Sequence, residues 1–563
     1  MFVVFEGNDG SGKTTVSNQV AERLRAGGLS VKHLRAEGKF VSAVSEAIRD
    51  LGRDARNLEL TPQAEFLLYV ARDVQLIEEA LRPALKKSDV VLADRFLYTA
   101  QNLGRQGRHL PDEFTKPVLR AAAGGLEPDL VVLVDVDPVL ARARRKAQKI
   151  ANADKRPPSR KGLSGVGLQH RLRRGYLDLA QQSPERWAVV DNEDSLENTV
   201  ARVTELIQSA HAEGTAKALE RFRAASLKRH QPAPLASAEQ ALEVFLDWID
   251  RRMEREPRVA AYMLGGLFGP RFDERRRRLA ERVPEAVLAA LAGRIDEVSW
   301  ELRRELSGKY AAAVTRTLSG IPNSDVNAAA MRRELAAQFP EEVLGSSSRF
   351  DDEETWALRD RLYAQRPDLV VGSVAGLDSE RAWALRSQWL DKNQADIDGH
   401  YETGRIAAKT VSGLGGERAW AVRERARAAA PVAALSSLAQ LFDEKSWRWR
   451  REYLRLAPKV VMSGIKRSLD TQAWEMRQAV VIDCKEAIDS IQDLDDERAW
   501  QLREAHADTW PSTVVKSMGA LADSARGKAL LERQLAAHPA NVSLLKHAAA
   551  VALGVHRVDD FED

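Results

Sequence analysis

The chain of 563 residues contains one cysteine, Cys484. A single thiol excludes an intramolecular disulfide and a cysteine-based zinc site. It suits a reducing compartment, so a cytoplasmic protein is expected. No stretch approaches 18 uninterrupted apolar residues, which excludes a helical membrane span. The opening MFVVFEG has no basic segment and no cleavage site, so no targeting peptide is expected there. Charge of one sign is also missing: 85 Lys and Arg stand against 82 Asp and Glu, for a net charge of +3. Nucleic acid is therefore not an expected partner, and basic runs must be judged one at a time.

What is present is 44% hydrophobic and 30% charged residues, the balance of helix-rich soluble matter. The length calls for several domains, since one core rarely grows beyond roughly 250–300 residues. Strand-like apolar runs lie in the first two hundred residues, at Phe2–Phe5, Ser30–Leu34, Val90–Ala93 and Leu130–Val134, with helical patterns between them. That alternation predicts an α/β domain, a parallel sheet with helices on both faces.

The first run leads into Gly7-Asn8-Asp9-Gly10-Ser11-Gly12-Lys13-Thr14, which satisfies G-x-x-x-x-G-K-[ST], and then into a helical pattern at Val16, Val20 and Leu24. Strand, glycine-rich loop and helix in that order form a P-loop. Its backbone N–H groups turn toward a polyphosphate at a helix N-terminus. Lys13 would reach the β- and γ-phosphates, and the Thr14 hydroxyl would hold Mg²⁺. In DVVLADRF, Asp94 and Arg95 fall at the carboxyl end of a buried strand, the edge where open α/β sheets bind ligands. Asp94 is placed for Mg²⁺, and Arg95 for an acceptor phosphate.

With these motifs in order, residues 1 to about 208 resemble the thymidylate kinase family of nucleoside monophosphate kinases. FEGNDGSGKTT resembles its P-loop, with Asp9 as the acidic residue inside it. TPQAEFLLYVARDVQLIEEALRPALKKSDVVLADRF and EPDLVVLVDVDPVLARARR resemble its later helices and strands. The resemblance implies that Gly7, Asn8, Asp9, Gly10, Ser11, Gly12, Lys13, Thr14 and Thr15 bind ATP, with Mg²⁺ on Thr14 and Asp94. It implies that Asp9 contacts the acceptor's sugar hydroxyl or organises the metal, that Arg35 grips the acceptor phosphate, and that Tyr69 stacks on the base. The segment KRPPSRKGLSGVGLQHRLRRGYLDLA would be a lid, with Arg156, Arg160, Lys161, Arg171, Arg173 and Arg174 closing on the phosphates.

Several positions depart from the family pattern. Asp73 stands where an arginine usually reads the base, and Arg72 lies one place earlier, turned by roughly 100° on a helix. Leu103 aligns with the tyrosine that crowds out a ribose 2′-hydroxyl. Thr99 replaces a serine and Ala100 a polar base contact. Ala36-Glu37-Gly38 replaces a Pro-Gly-Gly turn. The phosphate chemistry is kept, while the acceptor pocket formed by Tyr69, Arg72, Asp73, Thr99 and Leu103 is altered.

Residues 211–240 read as a helix and a linker containing Pro232 and Pro234. Beyond them comes a repeat whose tryptophans are Trp300, Trp356, Trp383, Trp420, Trp447, Trp474 and Trp500, spaced 56, 27, 37, 27, 27 and 26 residues apart. The long step hides a copy with Ala329 in the tryptophan slot, and the step of 37 carries an insertion around GHYETGRIAA. Four residues before each tryptophan stand Asp296, Asp352, Ser379, Gly416, Asp443, Asp470 and Asp496, all suited to cap a helix. An arginine follows each tryptophan at the third place, on the same helical face. A second apolar segment follows, frequently opened by proline. Two short helices per unit cannot bury their own apolar faces, so the units should stack into an all-α helical-repeat solenoid over 241–563. The tryptophans read as core anchors, the arginines as indole covers or bridges between units, and RFDERRRRL at 271–279 as a solvated helix face.

The expected activity is ATP-dependent phosphoryl transfer to a (deoxy)nucleoside monophosphate, with dTMP to dTDP as the default by resemblance. The resemblance also raises a homodimer through residues 1–210. The alternative is a nucleotide-operated switch, or a repurposed phosphotransferase, whose helical repeats bind a macromolecular, protein partner in regulation or defence.

Overall fold

The computed structural model describes residues 1–35, 40–54, 56–151, 160–193, 195–226 and 233–555. The chain divides into two compact units, residues 1–145 with 157–233, and residues 234–563 with 146–156.

In the first unit, five parallel strands form one sheet in the order β2-β3-β1-β4-β5. They are β1 (Phe2–Glu6), β2 (Val31–His33), β3 (Val90–Asp94), β4 (Leu130–Asp135) and β5 (Trp187–Asp191). The helices used below are α1 (Lys13–Ala26), α2 (Ala43–Arg53), α3 (Pro62–Leu76), α4 (Leu97–Asn102), α5 (Asp112–Ala123), α6 (Pro138–Ala151), α7 (Gly165–Gln182), α8 (Leu196–Glu213) and α9 (Thr215–Ser226). Alternate residues of β1 face opposite sides. Val3 and Phe5 pack with Val16, Val20 and Leu24 of α1 and Val203 and Ile207 of α8. Phe2 and Val4 pack with Phe66 and Tyr69 of α3 and Leu168 and Tyr176 of α7. Both faces are covered, which is why the strands read as unbroken apolar runs. The register Phe5↔Asp94 sets the segment after β1 beside the segment after β3.

Four strands lie where the apolar runs predict them. The fifth, WAVVD, does not stand out in the sequence: it is five residues long, and its Val189 is 40% exposed. Its partner β4 selects it through the register Val131↔Trp187 to Asp135↔Asp191.

The second unit is built of helix hairpins. Trp300, Trp356, Trp383, Trp420, Trp447, Trp474 and Trp500 each stand on the first helix of a repeat and are buried. The aspartate caps are real: Asp296, Asp352 and Asp443 accept from the backbone N three residues on, and Asp470 and Asp496 from the N two residues on. Asp325 caps the copy that has Ala329. Gly416 is a correction: Gly415 is the cap there, and Gly416 is the first helical residue, at φ +82°. Ser379 is a cap by position, its hydroxyl turned to Asp351 Oδ1 at 3.5 Å rather than to the helix N-terminus.

The arginine three places after the tryptophan lies over its indole, at 4.4 Å for Arg359 on Trp356 and 4.6 Å for Arg477 on Trp474. A cation of the next unit covers several indoles as well: Arg381 over Trp356 at 4.5 Å, Arg498 over Trp474 at 4.8 Å, and Arg526 over Trp500 at 4.9 Å. The first arginine is buried and answers carbonyls left open at helix C-termini. Arg503 donates to Ile491 O, Leu494 O and Ser517 O, each at 2.9 Å, and to Ser517 Oγ at 3.0 Å. Arg359, Arg423 and Arg477 make the corresponding bonds to Ser373, Ser437 and Ser490. Burial pulls these guanidinium groups down to about 10, which leaves them charged at neutral pH. The arginines thus cover the indoles, and in place of salt bridges between units they hydrogen-bond carbonyl and hydroxyl oxygens.

RFDERRRRL is more than a solvated face. Arg276 is a buried repeat arginine that donates to Leu264 O at 2.8 Å, while Arg271 pairs with Glu243 at 2.6 Å and Arg277 with Glu301 at 2.8 Å. The repeat therefore begins earlier than its tryptophans suggest.

Second helices start at Pro257, Pro284, Pro340, Pro367, Pro431, Pro458 and Pro511. Ala311 replaces the proline in one unit, and there the two helices fuse into Glu297–Thr317 across a kink at Tyr310. Second helices of neighbouring units pack on one another from Pro340–Ser346 through to Val542–Ala552. The last helix, Val542–Ala552, then packs along the first, Ala238–Arg255. The first and last helices of the array thus meet, and its ends are joined.

Candidate active site

The P-loop runs from the end of β1 into α1. Gly10 (φ 90°) and Gly12 (φ 91°) hold left-handed backbone, and a Cβ at either would collide with Ala141 O at 2.2 Å or Asn192 Nδ2 at 2.5 Å. Asn192, just past β5, donates to Ser11 O at 2.7 Å and braces the loop. Lys13 Nζ donates to Asn8 O at 2.6 Å. Burial, with Arg95 beside it, pulls the Lys13 ammonium down to about 7. A bound polyphosphate would restore its charge.

Thr14 Oγ1 donates to Asp94 Oδ2 at 2.6 Å, and Arg35 Nη1 stands 3.4 Å from the same oxygen. Burial pushes Asp94 up, but Arg35, Lys13 and Arg95 prevail and hold its carboxyl below the usual range. Asp94 Oδ1 is buried and accepts no hydrogen bond among the described residues. A hydroxyl and a carboxylate with one oxygen unused suit Mg²⁺, which takes few protein oxygens and keeps waters or phosphate oxygens for the rest.

Arg95, at φ 83°, turns its guanidinium back across the P-loop. It pairs with Asp9 and donates to Gly7 O and Thr99 Oγ1, both at 3.3 Å. Beneath it lies Glu6, fully buried and pushed up by that burial. Glu6 accepts from Phe96 N at 3.0 Å and Thr99 Oγ1 at 2.9 Å. Asn8, Asp9, Arg95, Thr99, Leu103, Gln169, Leu172 and Tyr176 line one cavity here with Gly7. A π-turn at Leu103–Gly107 follows α4 and sets Leu103 into it.

The structure thus gathers Asp9, Lys13, Thr14, Arg35, Asp94, Arg95, Thr99 and Leu103 at one edge of the sheet. Tyr69, Arg72 and Asp73 form a neighbouring group. Arg72 pairs with Asp73 at 2.6 Å and lies 4.9 Å over the Tyr69 ring and 5.4 Å from the Phe40 ring. Its side chain is thus engaged by its neighbours in this group. On α3, Arg72 and Tyr69 are three residues apart and share a face. Arg173 donates to both oxygens of Asp135 at 2.8 Å, and Arg171 to Gln106 O at 2.9 Å. Both arginines are held by protein acceptors, and Arg174 is exposed. Arg156 and the side chains of Arg160 and Lys161 lie outside the described residues, as does the turn Ala36-Glu37-Gly38.

Glu6, Gln169, Asn192 and Tyr176 are not marked by the motif. Glu6 carries a signal, an acidic residue closing an apolar run. The other three become visible only when α7 and β5 close over the loop.

The fold and site define a P-loop protein of the nucleotide kinase class. Residues 5–203 match the family model described as thymidylate kinase. The thymidylate kinase of Lactobacillus delbrueckii subsp. bulgaricus is 34% identical over 212 residues, which cover 38% of this chain and 97% of that protein. That of Deinococcus radiodurans is 36% identical over 202 residues, 35% of this chain and 92% of that protein. That of Bifidobacterium longum strain DJO10A is 35% identical over 206 residues, 36% and 95%. Through this segment the chain belongs to the thymidylate kinase family.

Proposed function

We propose that the first unit transfers a phosphoryl group from ATP to the phosphate of a nucleoside monophosphate. Thymidylate is the acceptor suggested by the names of the relatives. The contact chain Thr14–Asp94–Arg35 carries this reading, because it joins the donor side of the site to the acceptor side across one carboxylate. Backbone N–H groups of residues 7–15 take the ATP phosphates, and Lys13 neutralises charge that develops on the transferring group. Thr14 and Asp94 are the residues that would hold Mg²⁺, whose chemistry is to offset charge on the phosphate oxygens. Arg35 and Arg95 grip the acceptor phosphate, and Asp9 receives a hydroxyl of its sugar. An anionic phosphate oxygen is the nucleophile, so no strong base is required.

The test offers the full chain ATP with dTMP, dUMP, UMP, CMP or dCMP and measures diphosphate product. One acceptor should turn over, and Lys13→Ala should lower the rate by about 10²–10³-fold. Absence of product from every acceptor, or an unaffected Lys13→Ala variant, would overturn the reading.

A further inference from the structure

We propose that His33 is the positioning residue for Arg35, its imidazole fixing where that guanidinium meets the acceptor's phosphate. This rests on the phosphotransferase reading, which puts the acceptor's phosphate at Arg35. His33 ends β2 and is 5% exposed. Its Nδ1 accepts from Arg35 N at 3.1 Å, and its Nε2 lies 3.0 Å from Ser17 Oγ. A backbone N–H can only donate, so Nδ1 is the bare nitrogen, and Nε2 carries the hydrogen and donates to Ser17. Burial pulls the imidazole down to about 4, in keeping with that neutral form. Ser17 Oγ donates in turn to Thr14 O at 3.2 Å.

These bonds close a ring of contacts. Thr14 reaches Asp94, and Asp94 faces the Arg35 guanidinium. Arg35 is fastened by its N–H to His33, and His33 returns through Ser17 to Thr14. The ring ties α1, β2 and β3 together where the chain leaves the sheet after β2. A side chain that accepts from the N–H two residues on holds a turn. Here that turn carries the Arg35 guanidinium to within 3.4 Å of Asp94 Oδ2. Without the Nδ1 acceptor the turn loses this fastening, and a misplacement of about 1 Å is enough to weaken the grip on a phosphate.

Two carboxamides separate the two nitrogens. His33→Asn puts an oxygen where Nδ1 stands and is too short to reach Ser17. His33→Gln puts an N–H where Nε2 stands and has no acceptor at the place of Nδ1. The experiment uses the full chain with dTMP, dUMP, UMP, CMP and dCMP, with acceptor binding read by calorimetry and transfer by diphosphate product. His33→Gln and His33→Leu should weaken the acceptor about tenfold and leave the KM for ATP within about twofold, whereas His33→Asn should stay within about threefold of the unaltered chain. A merely structural histidine would lower the active fraction, and with it kcat, and leave the acceptor affinity and the KM for ATP alone. Unfolding midpoints identify a variant that fails to fold, and if His33→Leu is one, His33→Asn against His33→Gln still decides. Equal acceptor affinities in those two variants, a rise in the KM for ATP that matches the loss of acceptor affinity, or no binding of any acceptor would overturn the proposal. Product formed while the two variants bind alike would leave the phosphotransferase reading standing. Affinities that separate them without product would do the reverse.

Discussion

Asp73 and Arg72 are adjacent in sequence and paired in space, each 2% exposed. Burial pushes the Asp73 carboxyl up, against Arg72, Arg95 and Arg35 around it. The position is therefore not a neutral place to restore the family's arginine. Asp73→Arg would bury a second guanidinium against Arg72 with no carboxylate between them. Stability should fall by about 3–5 kcal/mol, as when one partner of a buried pair is removed. Urea unfolding of the variant checks this, and a loss under about 1 kcal/mol would show that the pair is not buried in solution. At this scale the sequence marks residues whose chemistry is local. Lys13 and Thr14 are marked by motif spacing, Asp94 and Arg95 by their place at the end of a buried strand, and the four lie together in the structure. Glu6 and Gln169 act through neighbours about 90 and 160 residues away, and spacing carries no trace of that.

At the scale of elements, the repeat has a backbone signature that composition half conceals. Gly266, Gly293, Gly320, Arg349, Gly376, Gly413, Gln440, Arg467 and Asp493 all have positive φ and recur at steps of 26 to 29 residues, with one step of 37. Several of their N–H groups bond forward to the carbonyl that ends the next short helix, as in Arg349 N to Ser373 O at 2.9 Å and Asp493 N to Ser517 O at 3.0 Å. Four of the nine are not glycine, so no glycine period appears in the sequence. Gln440 is exposed at φ 62°. Gln440→Gly should raise stability by about 0.5–1 kcal/mol by relieving the left-handed conformation. Gly413→Ala, where the added Cβ meets only Ala439 O at 3.7 Å, should lower it by about 1 kcal/mol. Denaturant midpoints decide, and a stabilising Gly413→Ala would show that the turn is free to relax. The tryptophan, the arginine and the aspartate cap were legible because each acts within one helix. The turn was not, because it is a property of backbone rather than of residue type.

At the scale of the molecule, closure of the helical unit changes what its last helix is worth. Leu544 and Leu545, on the helix Val542–Ala552, are 0% and 2% exposed. Here Leu545→Ala should cost about 2–5 kcal/mol, the loss expected in a packed interior, measured by urea unfolding of the full chain. A cost under about 1 kcal/mol would mean that the ends part in solution. No residue pattern announces closure, since it depends on the summed rotation of all units rather than on any one of them.

The contact between Val542–Ala552 and Ala238–Arg255 also makes the number of repeats a discrete quantity. An open stack can gain or lose a unit of about 27 residues by duplication or deletion and remain a stack. A circuit that already meets cannot, because one unit more leaves a helix with nowhere to dock, and one fewer leaves a gap that water enters. Insertions can enter such a circuit only within a unit. The eight-residue stretch 393–400 between Glu380–Lys392 and Tyr401–Thr410 lies in one, and it enlarges a hairpin without changing the count.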